Sequence, residues 1–284
     1  MTASQGAARV TELSLRQQLG TASARSLLLT VLGEFVLPHC EPVWTSTLVT
    51  VLGALGVEEK AARQALMRVG GDGWIAASRH GRRTRWALTP AGERLLADGS
   101  RRIFSFAGAV RQWNGQWLLI AVDAPEGQRA LRQQLRTKLS WAGFGPLPGG
   151  LWISPRSERE AEARAVLDEV GLAGVAYSFH ARAGEIGSAE AMISEAWDLD
   201  DIQRRYQDFL DLVSPLNPQD AQQALTHQLR LVQEWRRFPL LDPGLPLQLL
   251  PESWNGARAA ELFHRRHSEW NDRAWVAWRV LAAR

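Results

Sequence analysis

Arg63, Gln64 and Arg68 fall on one face of a helical stretch, with Lys60 a turn earlier. A guanidinium presents two N–H donors that match O6 and N7 of guanine, and a glutamine amide matches N6 and N7 of adenine. Eleven positions later the chain reads Arg79-His80-Gly81-Arg82-Arg83-Thr84-Arg85, with no acid among the seven residues. Cations so crowded repel one another unless an anion lies against them, and phosphate oxygens are suited to that role. An exposed basic helix alone reads as an ordinary solvated face. A basic helix followed by a cationic tip reads as base edges and backbone of duplex DNA, contacted together. Thr45 and Ser46 add hydroxyls that can reach phosphate.

These residues need elements to hold them. Val57 to Val69 reads as a helix with Ala62, Ala65/Leu66 and Val69 inward, which turns Lys60, Arg63/Gln64 and Met67/Arg68 outward. Gly70-Gly71 and a Gly-Trp turn stop it. Trp74 to Ser78 and Thr84 to Leu88 alternate as two short strands around the basic tip, and Thr89-Pro90 opens another helix toward Arg101-Arg102. Upstream, an apolar helix over 24–37 ends at Pro38, and a second runs near 46–55 with Ser or Thr as its N-cap. Helices followed by a β-hairpin with a cationic tip give the order of a winged helix-turn-helix.

The pattern changes after residue 110. Trp117 to Asp123 is an apolar run of strand length, 126–141 an amphipathic helix, Gly149 to Ile153 a strand, 158–170 a helix and Val175 to Phe179 a strand. One more short or irregular strand completes a ferredoxin-like sandwich. Gly184 to Ala189 reads as a linker. Helices follow at 189–213, 219–237 and 257–283, the last two separated by the proline-rich connector Phe238 to Pro246.

Composition narrows the function classes. The 284 residues exceed one small DNA-binding module. Cys40 is the only cysteine, which excludes a disulfide framework and points to a reducing compartment. No signal-peptide core or membrane span is read, so the expected location is cytoplasmic. The net charge of +3 hides an asymmetry: residues 1–110 carry 13 Lys+Arg against 8 Asp+Glu, residues 183–284 carry 11 against 15. A basic N-terminal third joined to an acidic C-terminal third suits one anion-binding module attached to a part that avoids nucleic acid. The 13 tryptophans read mostly as core, with a few available to line a pocket for a flat ligand. No phosphate loop, nucleophile elbow, dinucleotide fingerprint or paired catalytic carboxylates occur, so no catalytic residue, metal site or cofactor is expected. His264 and His267 share a helix face and read as solvated.

The blocks Ala24-Arg25-Ser26-Leu27-Leu28-Leu29-Thr30, Val43-Trp44-Thr45, Arg63-Gln64-Ala65-Leu66-x-Arg68, Asp72-Gly73-Trp74-Ile75, Gly81-Arg82-Arg83 and Leu88-Thr89-x-x-Gly92 resemble the PaaX family, repressors of phenylacetate catabolism and their relatives. So do Leu135-x-x-x-Leu139-x-x-x-Gly143-Phe144-Gly145 with Gly150-Leu151-Trp152-Ile153-x-Pro155, and the C-terminal run from Arg237-Phe238-Pro239 through Asp242-Pro243 and Leu249-Leu250-Pro251 to Trp254-x-Gly256. The resemblance covers about residues 24–270. Arg85-Trp86 stands where relatives often carry an aromatic pair. The resemblance implies a homodimeric repressor released by a small effector, an aryl-acyl-CoA thioester such as phenylacetyl-CoA. Trp197, Tyr206, Trp235, Arg236, Arg237, Trp254 and Arg258 are candidates for holding it, because a CoA thioester needs cations for its phosphates and an apolar pocket for its acyl group.

The reading is an α+β multidomain protein: a disordered tail over 1–22, a winged-helix domain over 23–110, a ferredoxin-like dimerisation domain over 111–183 and an all-α effector domain over 184–284. DNA contacts fall to Thr45, Ser46, Lys60, Arg63, Gln64, Arg68, His80, Arg82, Arg83 and Arg85. Two alternatives remain. Asp123 ends an apolar strand as metal-holding aspartates do in the small CRISPR-associated nuclease-like subunit, which would make a metal-dependent nuclease. A DNA-bound scaffold without a small ligand is the other.

Overall fold

The computed structural model describes residues 23–106, 113–125 and 127–283. The expected tail over 1–22 lies outside them. The described chain is mixed α+β, with two small antiparallel sheets. It divides into two compact units that do not follow chain order: residues up to Ser105 with Phe209–Arg237 and the chain from Glu261, and residues Phe106–Asp208 with Phe238–Ala260.

In the first unit, α1 (Ala24–Val31) is capped by the Ser23 hydroxyl, which accepts from the Ser26 N–H, and continues into a π-helical turn over Leu32–Val36. β1 (Val43–Trp44) leads into α2 (Thr45–Ala54), and α3 (Glu59–Gly71) follows. α1 packs on both α2 and α3. Leu28, Leu48, Val51, Leu52, Ala62, Leu66 and Val69 are buried, so each helix sinks its apolar stripe. Truncating a buried leucine such as Leu66 to alanine would cost about 2–5 kcal/mol. β2 (Ile75–His80) and β3 (Arg83–Leu88) form a hairpin with His80 opposite Arg83, and β1 pairs with β3 through Trp44 opposite Arg85. The two-residue turn places Gly81 at φ +61°, the positive value that the first central position of a type II′ turn requires. Thr89 starts α4 (Pro90–Ser105), its hydroxyl accepting from the Gly92 N–H at 3.1 Å. At Gly92 a Cβ would overlap the Trp74 carbonyl, so only glycine lets this helix seat on the hairpin base.

The same unit takes helices from far along the chain, α9 (Ala221–Trp235) and most of α11 (Gly256–Ala282). α9 lies against α1. Their interface is polar: the Thr30 hydroxyl donates to Gln233 Oε1 at 2.7 Å, and Gln233 Nε2 donates to Ser26 Oγ at 2.6 Å. Gln228 Nε2 donates to Glu34 Oε2 at 3.0 Å, and His267 Nε2 lies 2.8 Å from the same oxygen. Buried polar groups that pair this way fix one register, because any slip strands a donor or acceptor. Residues 184–284 are divided between the two units.

The second unit holds a four-stranded sheet in the order β5-β6-β4-β7, with β4 (Trp117–Ala121), β5 (Gly145–Leu147), β6 (Leu151–Ser154) and β7 (Tyr177–Ala181). All three pairings are antiparallel, and α5 (Arg129–Trp141) and α6 (Glu160–Val170) cross between strands, the ferredoxin-like βαββαβ plan. β5 is the expected short strand. Leu118, Ile120 and Trp152 pack with Leu135 and Leu139 of α5 and Ala163 and Leu167 of α6. On the other face Trp117 and Ile153 pack with Ile193, Ala196 and Leu245. From Ala189 on, every described element is helical. The helix expected over 189–213 is two, α7 (Ala189–Ala196) and α8 (Leu199–Val213). Trp197 is extended, and the Asp198 carboxylate accepts from the Asp201 N–H at 2.9 Å, capping the second helix. A single turn, α10 (Phe238–Leu241), opens the proline-rich connector.

Candidate nucleic-acid interface

The outward face of α3 carries Lys60, Arg63, Gln64, Met67 and Arg68, all exposed. With Glu59 they line an open depression of about 730 Å³ along the helix. Two residues there were not among those assigned to DNA contact from sequence. Met67 lies in the middle of the face with 67% of its surface exposed, an apolar side chain among donors. Such a side chain fits the C5-methyl of thymine. Glu59, one turn before Arg63, holds that guanidinium at 2.7 Å. An exposed pair at this spacing is worth about 0.3–0.5 kcal/mol, so Arg63 is aligned along the helix yet readily exchanged to a stronger acceptor.

The hairpin presents the second cationic surface. Arg79, His80, Arg82 and Arg83 are exposed and Arg85 is half-buried. Trp44 lies beneath two of them: the guanidinium carbons of Arg83 and Arg85 are 4.0 and 4.1 Å from its ring centre. The His80 ring meets the same indole edge-on at 5.9 Å. Stacking of this kind contributes about 0.5–1 kcal/mol for each exposed cation, enough to offset the weak repulsion between two solvated guanidiniums. Thr45 is half-buried and tied into the hairpin, donating to the Thr84 carbonyl at 3.1 Å and accepting from Trp86 Nε1 at 3.0 Å. Its hydroxyl joins α2 to β3. Ser46 beside it is exposed at the start of α2.

The seven residues named for a small effector are divided between the units, with Trp235, Arg236 and Arg237 in one and Trp197, Tyr206, Trp254 and Arg258 in the other. Trp235 is fully buried, stacks on Phe263 at 4.9 Å and donates to the Ile103 carbonyl at 3.1 Å. Arg236 donates to the Ser26 carbonyl at 3.0 Å and to the Thr30 hydroxyl at 3.1 Å, and burial pulls its pKa below the ordinary guanidinium value. Both side chains are committed to the helical interior. Arg237 pairs with Glu234. In the second unit, Tyr206 stacks on Phe238 at 4.2 Å and meets Trp254 edge-on at 5.6 Å. Its hydroxyl donates to Asp242 Oδ2 at 2.6 Å, and the Gly244 N–H donates to Asp242 Oδ1 at 2.7 Å. Burial raises the Asp242 pKa against those two bonds, and burial with the Asp242 charge raises that of Tyr206 well above a free phenol. The pair pins the connector at the motif that its prolines mark in sequence. Trp197 is half-buried against Gly145, where its ring occupies the space of a Cβ. Arg258 is exposed on α11.

Asp123 lies two residues past the end of β4, beside Gly150. Among the described residues no group of three or more His, Cys, Asp or Glu is placed to hold a metal ion. His267 is no solvated residue, because Glu34 pairs with it and Phe104 meets its ring edge-on at 4.9 Å. Among the described residues no helix is long and apolar enough to cross a membrane.

Three family models match the chain in succession: PaaX-like protein over residues 23–92, the PaaX protein central Cas2-like domain over 110–193, and the PaaX-like protein C-terminal domain over 197–279. The chain is 31% identical over 251 residues to the Transcriptional repressor PaaX of Escherichia coli (strain K12), covering 84% of this chain and 78% of that protein. The chain belongs to the PaaX family. An uncharacterized protein from Mycobacterium tuberculosis shares the fold, with a TM-score of 0.61 at 24% identity over 91% of this chain and 100% of that one. Within this PaaX family member the basic α3 face and the hairpin fall in the segment matched by the first model, and the βαββαβ sheet in the Cas2-like segment.

Proposed function

We propose that this PaaX family chain is a transcriptional repressor that binds duplex DNA with residues 23–105 as a winged helix-turn-helix. In this reading α3 enters the major groove and the β2–β3 hairpin is the wing. The observation that carries it is the coincidence, on one small unit, of an outward α3 face of Lys60, Arg63, Gln64 and Arg68 with a hairpin bearing Arg82, Arg83 and Arg85. Arg63, Gln64 and Arg68 choose the sequence, while Ser46, His80 and the hairpin arginines grip the backbone. Thr45 positions the wing through its bonds to Thr84 and Trp86.

The reading includes a homodimer on an inverted-repeat operator, with recognition helices about 34 Å apart. Support for a second copy comes from β7, at the edge of its sheet, with Tyr177 and Phe179 exposed. An edge strand with open backbone groups and exposed aromatic rings suits antiparallel pairing with its own copy.

The proposed effector is an aryl-acyl-CoA thioester such as phenylacetyl-CoA, acting on a catabolic operon. Family membership supports it, as do the aromatic rings around Tyr206 and Trp254, with Arg258 on the same unit. Release from DNA requires the effector to bind the two states with different affinity, by a coupling of about 1–3 kcal/mol. The test is a gel shift on the promoter region upstream of the protein's own coding sequence, with and without phenylacetyl-CoA. Retention that the thioester reverses and free phenylacetate does not supports the proposal. A fragment retained equally in both, with no thermal shift from any aryl-CoA, overturns the effector and leaves a DNA-bound scaffold.

A further inference from the structure

Val43-Trp44-Thr45 is a motif whose role the nucleic-acid reading leaves open. Val43 is buried, and Thr45 ties α2 to β3 through Thr84 and Trp86. Trp44 does neither. It is half-buried, faces Arg85 across the β1–β3 pairing, and has the guanidiniums of Arg83 and Arg85 over its ring at 4.0 and 4.1 Å. The His80 ring stands against it edge-on. Arg83 and Arg85 are two apart on β3, so both side chains project from the same face of the hairpin toward the indole.

An arginine side chain ordinarily loses much rotamer freedom when it closes on a phosphate. One already laid on an aromatic face has lost part of that freedom beforehand. A guanidinium lying on an indole meets it with its flat π surface. Its N–H donors lie in the guanidinium plane and are not consumed by the ring. A ring that holds two such groups therefore orders two cations at a spacing set by the protein.

We infer that Trp44 is a positioning residue for DNA binding, holding Arg83 and Arg85 as a pre-ordered pair of phosphate-binding cations on the hairpin. The inference rests on the proposal that the hairpin contacts DNA. It assigns Trp44 no contact with the bases, so its loss should weaken binding to all sequences alike.

The test is fluorescence anisotropy of the full chain on a promoter duplex and on a random duplex, each across a salt series. Wild type is compared with Trp44→Leu, Trp44→Phe, Arg83→Ala with Arg85→Ala, and the triple variant. Circular dichroism and thermal melting check that each variant is folded. Trp44→Leu should weaken binding about 3- to 10-fold on both duplexes. Trp44→Phe, which keeps an aromatic face, should recover most of that loss. In the background lacking Arg83 and Arg85, Trp44→Leu should change affinity less than 2-fold, because both guanidiniums that the ring orders are gone. A loss from Trp44→Leu that persists undiminished in that background would overturn the inference and assign Trp44 to the fold alone. Unchanged binding by a folded Trp44→Leu would overturn it as well. Failure of wild type to bind either duplex at low salt would instead overturn the DNA-binding proposal beneath it.

Discussion

The outward face of α3 and the β2–β3 hairpin are both cationic, yet they are built in opposite ways. On α3 the side chains project from a helix whose other face is buried, and Arg63 is restrained by its exposed pair with Glu59. On the hairpin, Trp44 holds Arg83 and Arg85, and Thr45 anchors the strand beneath them. A helix face of long, loosely held donors can adapt to base edges and discriminate among them. A strand with ring-stacked arginines offers fixed charge, which suits a backbone of repeating phosphates. Charge alone does not tell choice from grip. What holds the charge does.

The contrast between the two surfaces is tested most directly at the hairpin. Replacing Arg82 and Arg83 by alanine together should weaken binding to promoter and random duplex alike, by about 100-fold at 0.1 M salt. The slope of log K against log salt should fall by about 2, at roughly 0.9 per lost phosphate contact. A loss confined to the promoter duplex would reverse the assignment of grip to the hairpin. The next largest effect belongs to α3. Arg63→Ala should cost about 1–3 kcal/mol on the promoter duplex and little on random DNA, relaxing preference at one base pair. Equal losses on both duplexes, in a competition binding series, would remove Arg63 from base reading.

Outside the interface, Tyr206→Phe should leave DNA affinity unchanged and lower stability by about 1–2 kcal/mol, since Asp242 loses its buried donor. The pH dependence has a defined sign. Tyr206 titrates higher in the folded chain than in the unfolded one, so the stability linked to it is full below pH of about 10 and is lost as pH rises through the folded value. Denaturant melts between neutral and strongly alkaline pH should show that decline in wild type and a shallower one in Tyr206→Phe. The smallest effect is at Glu59. Glu59→Gln releases Arg63 and removes a negative charge from the reading face, so DNA binding should tighten by 2-fold or less, a change that anisotropy at low salt resolves.

Much of the layout of the proposed interface was legible in sequence because the elements that carry it have local determinants. The i, i+3/i+4 spacing of Ala62, Ala65, Leu66 and Val69 set which way Arg63 and Arg68 point, and Gly81 between two basic strands marked the turn. The middle strands followed from apolar runs, and the missing short strand was foreseen because a βαββαβ plan lacks balance without it. Non-local partners were not legible. Trp44 meets residues some forty positions away, and no short-range pattern signals a tryptophan that carries arginines. Arg236 read as an effector ligand because a CoA thioester needs cations for its phosphates, while the partners it meets, Ser26 and Thr30, stand 210 and 206 residues earlier. The break at Trp197 had a readable sign, Asp198 with Asp200 and Asp201 after it, an N-cap and acidic first turn inside an otherwise continuous amphipathic run.

The central claim is that this chain binds duplex DNA with sequence preference through α3 and the hairpin. Its most direct test is a salt-titrated competition in which wild-type protein on the promoter duplex from upstream of its own coding sequence is displaced by random duplex. The expected result is a preference on the order of 10³ or more at physiological salt, with both affinities falling as salt rises. Equal affinity for the two duplexes, or no retention of either at low salt, would contradict it.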